Sequence, residues 1–213
     1  MKPLPIAVLI SGGGTTLENL IEHQRRHGLP LDFRLVISSR ADVRGLELAH
    51  DAQIPTSVIR RKDFETAEQH RDELFAAVRQ SGAQWVAMGG YIEHVLIPDD
   101  FVNRVLNIHP SLVPAFCGKG YYGLRVHQAV VEYGVKLTGC TVHLVDNEYD
   151  HGPIVAQRAC EVFPDDSPID VQHRVFQLER DLYPRVWRAI AEGGIEVRGR
   201  QVRLAAWPPS AAC

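Results

Sequence analysis

An amide and an imidazole on one face of a short apolar strand are the residues of this sequence best suited to catalysis. Asn107 and His109 lie two residues apart in the run 105–109, and alternate residues of a strand point to the same side. An amide can donate a hydrogen bond to a carbonyl oxygen that becomes an oxyanion, while an imidazole assists proton transfer. The pair predicts acyl transfer, although a half-buried His and an Asn capping a loop would have the same spacing.

A second polar segment, residues 146–152, could bring a carboxylate to this pair. Its composition is typical of a turn between two strands, and Asp150 is the candidate carboxylate. A carboxylate beside His109 would favour the imidazolium and raise the pKa of that ring. The chain also has ten histidines, but the adjacent Asp150 and His151 are expected to point in different directions. We therefore expect no catalytic metal.

A glycine-rich segment between the first predicted strand and the first predicted helix is suited to bind an anion. Unpaired backbone N–H groups and the helix dipole favour negative charge at such a position. The second strand ends in Ser38-Ser39 without an acidic residue, a third fingerprint glycine is missing near Leu17, and no Gly-Lys-Ser/Thr follows. A single phosphate monoester is therefore favoured over a dinucleotide or a nucleoside triphosphate; the non-functional alternative is a tight turn capped by a threonine. The segment consists of Gly12, Gly13, Gly14, Thr15, Thr16 and Leu17.

Strand-like and helix-like stretches alternate in the first half of the chain and would place these residues at one edge of a sheet. The predicted strands cover residues 6–10, 33–37, 56–59, 85–88 and 105–109. The predicted helices cover residues 17–27, 43–52 and 67–81. This order predicts an α/β fold with a doubly wound, mainly parallel sheet and a Rossmann-like N-terminal half.

The second half begins with a long loop rich in glycine and proline, which either closes over a substrate or is an ordinary surface loop. Helices are predicted after it at residues 125–133 and 168–192, and strands at residues 137–145 and 154–162. A closing hairpin is predicted at residues 195–204. We expect a single domain over residues 1–213, with a phosphate-binding half at about 1–100, a catalytic half at about 101–205, and a loose tail at 206–213.

Composition and charge exclude several classes of protein. Hydrophobic residues make up 45% of the 213 residues and charged residues 23%, which is ordinary for a globular protein. A formal net charge of −3 offers no basic excess for nucleic acid or anionic lipid. The apolar run at residues 6–10 is too short to cross a bilayer, and no signal peptide precedes it. We expect a cytoplasmic protein, a monomer or homodimer, without nucleic-acid or membrane partners.

Four segments taken together resemble the folate-dependent formyltransferases. They are the glycine segment from Ser11, the run Asn107-Ile108-His109-Pro110-Ser111-Leu112, the segment Gly139–His143, and Asp150-His151-Gly152-Pro153. The resemblance covers about residues 6–183. It implies a formyltransferase fold and an enzyme that transfers the formyl group of 10-formyltetrahydrofolate, its co-substrate, to the amine of 5-phosphoribosylglycinamide. The implied products are formylglycinamide ribonucleotide and tetrahydrofolate, in de novo purine biosynthesis.

The resemblance also implies roles for individual residues. Asn107, His109 and Asp150 occupy the catalytic positions, and in the implied mechanism Asp150 keeps His109 protonated. Residues 12–17 would bind the substrate phosphate, and Glu179 the ribonucleotide, unless Glu179 merely lies on a solvated helix face. The implied folate-binding residues are Ile92, Glu93, His94, Val95, Asn107, Asp146, Asn147, Glu148, Tyr149 and Asp150.

Three alternatives stay open on the sequence alone. The chain could be a formyltransferase for another amine acceptor, such as methionyl-tRNA or a sugar nucleotide, although the additional C-terminal domain expected of the tRNA enzymes is not recognised. It could be a catalytically inactive nucleotide-binding module that keeps the phosphate loop. An oxidoreductase that binds a nicotinamide cofactor is disfavoured by the departures from the dinucleotide fingerprint.

Overall fold

Nine β-strands and five α-helices are present in residues 2–207, the part of the chain that this computed structural model describes. The strands are β1 (Leu4–Ile10), β2 (Leu31–Ser38), β3 (Thr56–Val58), β4 (Trp85–Met88), β5 (Val105–His109), β6 (Leu137–Leu144), β7 (Ile154–Glu161), β8 (Ile195–Arg198) and β9 (Gln201–Leu204). The helices are α1 (Thr15–His27), α2 (Arg44–Asp51), α3 (Ala67–Gln80), α4 (Leu124–Tyr133) and α5 (Pro168–Gly193). Each predicted element is confirmed, with ends that differ by at most two residues.

Seven strands form one sheet in the order β3-β2-β1-β4-β5-β6-β7. The first five are parallel, and β6 runs antiparallel to both of its neighbours. The chain moves outward from β1 to β3 and then crosses to β4 on the other side of β1. Ligands of such sheets bind outside the carboxyl ends of the strands, where the winding direction reverses. The doubly wound, mainly parallel fold is thus confirmed, and β1, β4 and β5 lie at the reversal.

The sheet is covered by apolar clusters on both faces, as the continuous apolar runs of its central strands require. Ile6, Val8 and Ile10 of β1 belong to one cluster and Ala7 and Leu9 to the other, and all five are fully buried. Helices α1 and α5 pack in the first cluster and α3 in the second. Packing on both faces therefore holds the central strands in place.

The longest helix is also fixed to the sheet by a hydrogen bond. The hydroxyl of Tyr183, on α5, lies 3.1 Å from the carbonyl oxygen of Met88 on β4 and 2.9 Å from that of Leu106 on β5. Trp187, one turn further along α5, is fully buried beside this tyrosine. This contact sets the position of α5 relative to the strand that carries the Asn-His pair.

The C-terminal hairpin of β8 and β9 is joined by a two-residue turn, Gly199-Arg200, as predicted. Strand β9 lies against β7 of the main sheet. Trp207, which the sequence assigned to the loose tail, packs at the edge of the first cluster. The rest of that tail, residues 208–213, lies outside the described residues. None of the helices within residues 2–207 is long and apolar enough to cross a membrane.

Candidate active site

A cavity of about 740 Å³ opens at the carboxyl ends of β1, β4 and β5. Its wall includes the first residues of α1, the ends of β4 and β5, the two loops at residues 90–95 and 145–150, the glycine-rich loop at 118–123, and one face of α5. These segments come from the whole length of the chain. The fold therefore brings together, in one place, the segments that the sequence had singled out separately.

Asn107, His109 and Asp150 meet at the floor of this cavity. The side-chain nitrogen of Asn107 lies 3.4 Å from one carboxylate oxygen of Asp150, and Nδ1 of His109 lies 3.5 Å from the other. The side chains of His109 and Asp150 are only 5% and 13% exposed, so water screens their interaction weakly. A carboxylate thus joins the amide and the imidazole, as the sequence predicted.

His143 is a fourth member of this cluster, to which the sequence assigned no role. Its Nδ1 lies 2.9 Å from the carbonyl oxygen of Leu144 and donates to it, which leaves Nε2 as an acceptor for the Asn107 amide at 3.1 Å. Both N–H bonds of that amide therefore have partners in the protein. The longer one, to Asp150, is the one that a substrate oxygen can displace.

The ionisation of His109 differs from the prediction. Burial lowers the pKa of His109, and although the Asp150 carboxylate and the Phe116 carbonyl oppose this, the pKa stays below its ordinary value. Asp150 does raise this pKa, as predicted, but the prediction that it keeps the ring protonated is not supported, because desolvation outweighs the ion pair. Nε2 lies 3.0 Å from the Phe116 carbonyl oxygen and carries the proton, so Nδ1 is a base beside Asp150.

Asp150 remains a carboxylate in spite of its burial. Burial raises the pKa of this carboxyl, but its neighbours His143, His109 and the N–H of Gly118 together lower it below its ordinary value. The Gly118 N–H donates to a carboxylate oxygen at 2.9 Å. The glycine-rich loop, whose role the sequence left open, is thus bonded to the catalytic cluster and lines the cavity.

The glycine segment forms a turn that leads into α1. Gly14 has a left-handed φ of 70° and caps the helix without any side-chain hydrogen bond, so the threonine-capped turn does not occur. The first helical bond runs from the N–H of Glu18 to the Gly14 carbonyl, which leaves the preceding N–H groups without helical acceptors. Thr15 and Thr16 line the cavity, whereas the Leu17 side chain is fully buried and offers only its backbone.

The first two glycines of that segment and Gly14 lie outside the cavity lining. Gly14 shapes the turn, because a Cβ on it would lie 2.6 Å from the Cα of Gly45 on α2, whereas Gly12 and Gly13 have open space around them. Gly14 and Gly45 therefore permit α1 and α2 to approach each other closely. Of the predicted phosphate-binding residues, the structure places Thr15 and Thr16 at the cavity.

The two loops predicted to bind folate face each other across the cavity mouth. The lining includes Ile92, Glu93, His94, Val95, Asp146, Glu148 and Tyr149. Asn147 is not part of the lining but links the loops, because its side-chain oxygen accepts from the Ile97 N–H at 2.7 Å and its carbonyl lies 3.1 Å from Nε2 of His94. The rings of His94 and Tyr149 are also in contact, with centroids 4.6 Å apart.

Glu179 faces the cavity from α5 and is not on a solvated helix face. Its carboxyl has no hydrogen-bond or ion-pair partner within residues 2–207, and burial raises its pKa to about 8. A poorly solvated acid without a partner costs free energy, and its half-buried position at the cavity makes Glu179 a candidate ligand contact. This geometry fits the predicted contact with a ribonucleotide.

His127 is a further residue of the cavity wall that the sequence did not identify. It lies in the first turn of α4, only 2% exposed, and burial lowers its pKa to about 4. Its Nδ1 has no hydrogen-bond partner among the residues that the structure describes. In the sequence, His127 stands near the apolar residues Val126 and Val130 and therefore has the pattern of a core residue. That pattern gives no sign that it lines a cavity.

The other charged side chains of the cavity determine which groups could bind a phosphate. Among the described residues, Lys119 is the one lysine or arginine in the lining, against five acidic side chains at Glu93, Asp146, Glu148, Asp150 and Glu179. A phosphate in this cavity would therefore depend mainly on the backbone N–H groups at the start of α1. Within residues 2–207, no group of three or more His, Cys, Asp or Glu side chains is arranged to hold a metal ion.

Comparison with known proteins agrees with this geometry. The family model described as "Formyl transferase" matches residues 4–187. A chloroplastic phosphoribosylglycinamide formyltransferase of Arabidopsis thaliana is 38% identical over 93% of this chain and 69% of its own length. The phosphoribosylglycinamide formyltransferase of Haemophilus influenzae is 36% identical over 91% of this chain and 90% of its own.

A solved structure has the same fold. The crystal structure of glycinamide ribonucleotide transformylase 1 from Symbiobacterium toebii superposes with a TM-score of 0.87 and 36% identity, over 95% of this chain and 94% of that one. The matched family residues include both strands and loops that form the cavity. This chain belongs to the formyl transferase family.

Proposed function

We propose that the protein transfers the formyl group of 10-formyltetrahydrofolate to the amine of 5-phosphoribosylglycinamide, giving formylglycinamide ribonucleotide and tetrahydrofolate in purine biosynthesis. The observation that carries this proposal is the meeting of Asn107, His109 and Asp150 in a cavity that also reaches the start of α1. A phosphate at the helix and an amine at the cluster would then belong to one substrate. The names of the relatives support the same reaction.

The two substrates would occupy different parts of the cavity. The phosphate fits the N–H groups at the start of α1 near Thr15 and Thr16, and the ribose hydroxyls fit Glu179, which needs a partner. The formylated folate fits between the loops at residues 90–95 and 145–150, where Ile92 and Val95 give apolar surface. The formyl carbon would then lie between the amine and the Asn-His-Asp cluster.

In the proposed reaction, the amine nitrogen bonds to the formyl carbon and the C=O electron pair moves onto oxygen. Asn107 donates to this oxygen by redirecting the 3.4 Å hydrogen bond that it makes to Asp150. Neutral His109 takes up the proton that the amine loses, and the carboxylate of Asp150 stabilises the imidazolium. As the oxygen electron pair reforms C=O, the bond to N10 breaks and N10 receives the proton.

A turnover assay tests this proposal. Tetrahydrofolate formation is followed by absorbance with both substrates, and again without the amine. We expect amine-dependent turnover, with kcat lowered about 100-fold or more in Asp150→Asn and His109→Ala. Asp165→Asn is the matched control, because Asp165 is an exposed acid with no side-chain hydrogen bond or ion pair among the described residues. Turnover without the amine would indicate a hydrolase, and no turnover with this amine would point to another acceptor or to a binding protein.

We further propose that the enzyme works in the cytoplasm as a monomer or homodimer without a metal. The small net charge of −3 and the small-molecule substrates support this, since neither calls for a nucleic-acid or membrane partner. Unchanged turnover after treatment with a chelator tests the absence of a metal. The mass of the protein in solution tests whether it is a monomer or a homodimer.

A further inference from the structure

Asp150 has an unusual backbone conformation that its surroundings must hold. Its φ is +50°, in the left-handed region that residues with a Cβ rarely adopt. For such a residue this region costs roughly 1 kcal/mol or more. The carboxylate must nevertheless stay near Asn107, His109 and Gly118, so the turn needs support from contacts outside the cluster.

The first support lies within the turn itself. One carboxylate oxygen of Asp146 accepts from the N–H of Glu148 at 2.9 Å, and the other accepts from Nδ1 of His151 at 2.8 Å. The Asp146 carboxylate thus spans the turn and binds residues on both sides of Asp150. Because Nδ1 of His151 donates its proton here, Nε2 of the same ring is left as an acceptor.

The second support comes from the far C-terminal part of the chain. Nη2 of Arg200 donates to the carbonyl oxygen of His151 at 2.7 Å, and Nη1 lies 3.3 Å from Nε2 of that residue. One guanidinium therefore fixes both the backbone and the ring of the residue that follows Asp150. The planar fork of arginine fits two acceptors in this way, which the single ammonium of a lysine cannot do.

The hairpin that carries Arg200 is packed against the core of the protein. Arg200 lies in the two-residue turn between β8 and β9, and Leu204 at the end of β9 is only 8% exposed. Ile195, Val197 and Val202 pack against the first apolar cluster. A packed two-stranded hairpin holds the turn in place, so Arg200 links the catalytic turn to the core rather than to a free chain end.

We propose that Arg200 is a positioning residue for the formyl transfer reaction, acting through His151 and Asp146 to hold the carboxylate of Asp150 at Asn107 and His109. This inference rests on the proposed function, since it names a residue for that reaction. Arg200 is exposed, and the side chains of His151 and Asp146 are 48% and 36% exposed. The contact therefore adds little to global stability, and its effect is on geometry.

The test compares Arg200→Ala with Arg203→Ala in the full-length protein. Arg203 is an exposed arginine of the same hairpin, with no hydrogen bond or ion pair among the described residues, so both variants lose the same charge. A misplaced catalytic group lowers the rate steeply, so we expect kcat to fall about tenfold in Arg200→Ala. KM for the ribonucleotide and the melting temperature stay at the wild-type values, and Arg203→Ala behaves as wild type. Arg200→Lys regains part of the rate.

A double variant separates positioning from a general loss. If Arg200 acts through the Asp150 carboxylate, adding Arg200→Ala to Asp150→Asn lowers kcat no further. Equal kcat in Arg200→Ala and Arg203→Ala, or a full further tenfold loss in the double variant, would overturn the proposal. A loss of kcat that came with a lower melting temperature and was not relieved by lysine would overturn it as well. Absence of turnover in the wild type would instead refute the proposed function.

Discussion

Replacing Glu179 by glutamine tests whether the cavity contains an acid that lacks a partner. Burial raises the pKa of Glu179 from 4.5 to about 8, so the folded protein keeps a proton that the unfolded chain releases. Between these pH values the unfolded state binds fewer protons than the folded state. The free energy of unfolding therefore falls as the pH rises from about 4.5 to about 8, and the loss is complete above pH 8.

The size of this effect follows from the pKa. A rise from 4.5 to about 8, at 1.36 kcal/mol for each pH unit, corresponds to an upper limit of about 5 kcal/mol. The side chain is partly exposed to the cavity, and water in the cavity reduces the desolvation of the carboxylate. We therefore expect wild type to lose about 2 to 3 kcal/mol relative to Glu179→Gln between pH 5 and pH 9.

Urea denaturation at several pH values measures this difference directly. Glu47→Gln is the control, because Glu47 is an exposed glutamate on α2 with no contact in the described part of the chain. Its stability should follow the wild type at every pH, whereas Glu179→Gln should become the more stable protein as the pH rises. If the free energy of unfolding depends on pH in the same way in wild type and Glu179→Gln, the reasoning is refuted. Glu179 would then have the same pKa in the folded and unfolded states.

Two further predictions concern the segment that precedes α1. Gly14→Ala should lower the free energy of unfolding by about 3 kcal/mol, because the new Cβ meets the backbone of α2 at 2.6 Å and φ is +70°. Gly13→Ala, with no atom within 4 Å of its Cβ, should change it by less than about 0.5 kcal/mol in the same urea titration. Ser11→Ala should cost about 1 to 3 kcal/mol and raise KM for the folate, because Ser11 bonds Ser39 at 2.6 Å and the N–H of Ile92 at 3.0 Å. Unchanged stability in Gly14→Ala, or an unchanged folate KM in Ser11→Ala, would contradict these two arguments.

The fold was predictable because its signals are local. Alternating apolar runs and helical periodicity give the elements and their order, and parallel strands joined by helices leave few possible sheets. The pairing of β5 with β6 is different, since the direction of β6 depends on the path of the loop at residues 110–123. The sequence signals in that loop, several glycines and prolines, indicate breaks without giving a direction.

The cluster of proposed catalytic residues was predictable from the sequence, but the ionisation of its members was not. Asn107, His109 and Asp150 stand in segments with a recognisable pattern, but the pKa of His109 depends on how deeply the ring is buried. Burial is a property of the whole packed structure, so sequence spacing could show only the favourable charge of Asp150. His143 was missed for a related reason, because its register opposite Asn107 exists only once β5 and β6 pair.

The order of the strands also fixes the distance between the turn before α1 and the Asn-His pair. Strand β4 lies between β1, which leads into the turn proposed to bind phosphate, and β5, which carries the proposed catalytic pair. Neighbouring strands are about 4.8 Å apart, so the two sites are separated by roughly 10 Å across the sheet. An acceptor must carry its amine at about that distance from its phosphate. The strand spacing therefore sets the distance between phosphate and amine in a suitable acceptor. An amine attached directly to the ribose would not reach His109.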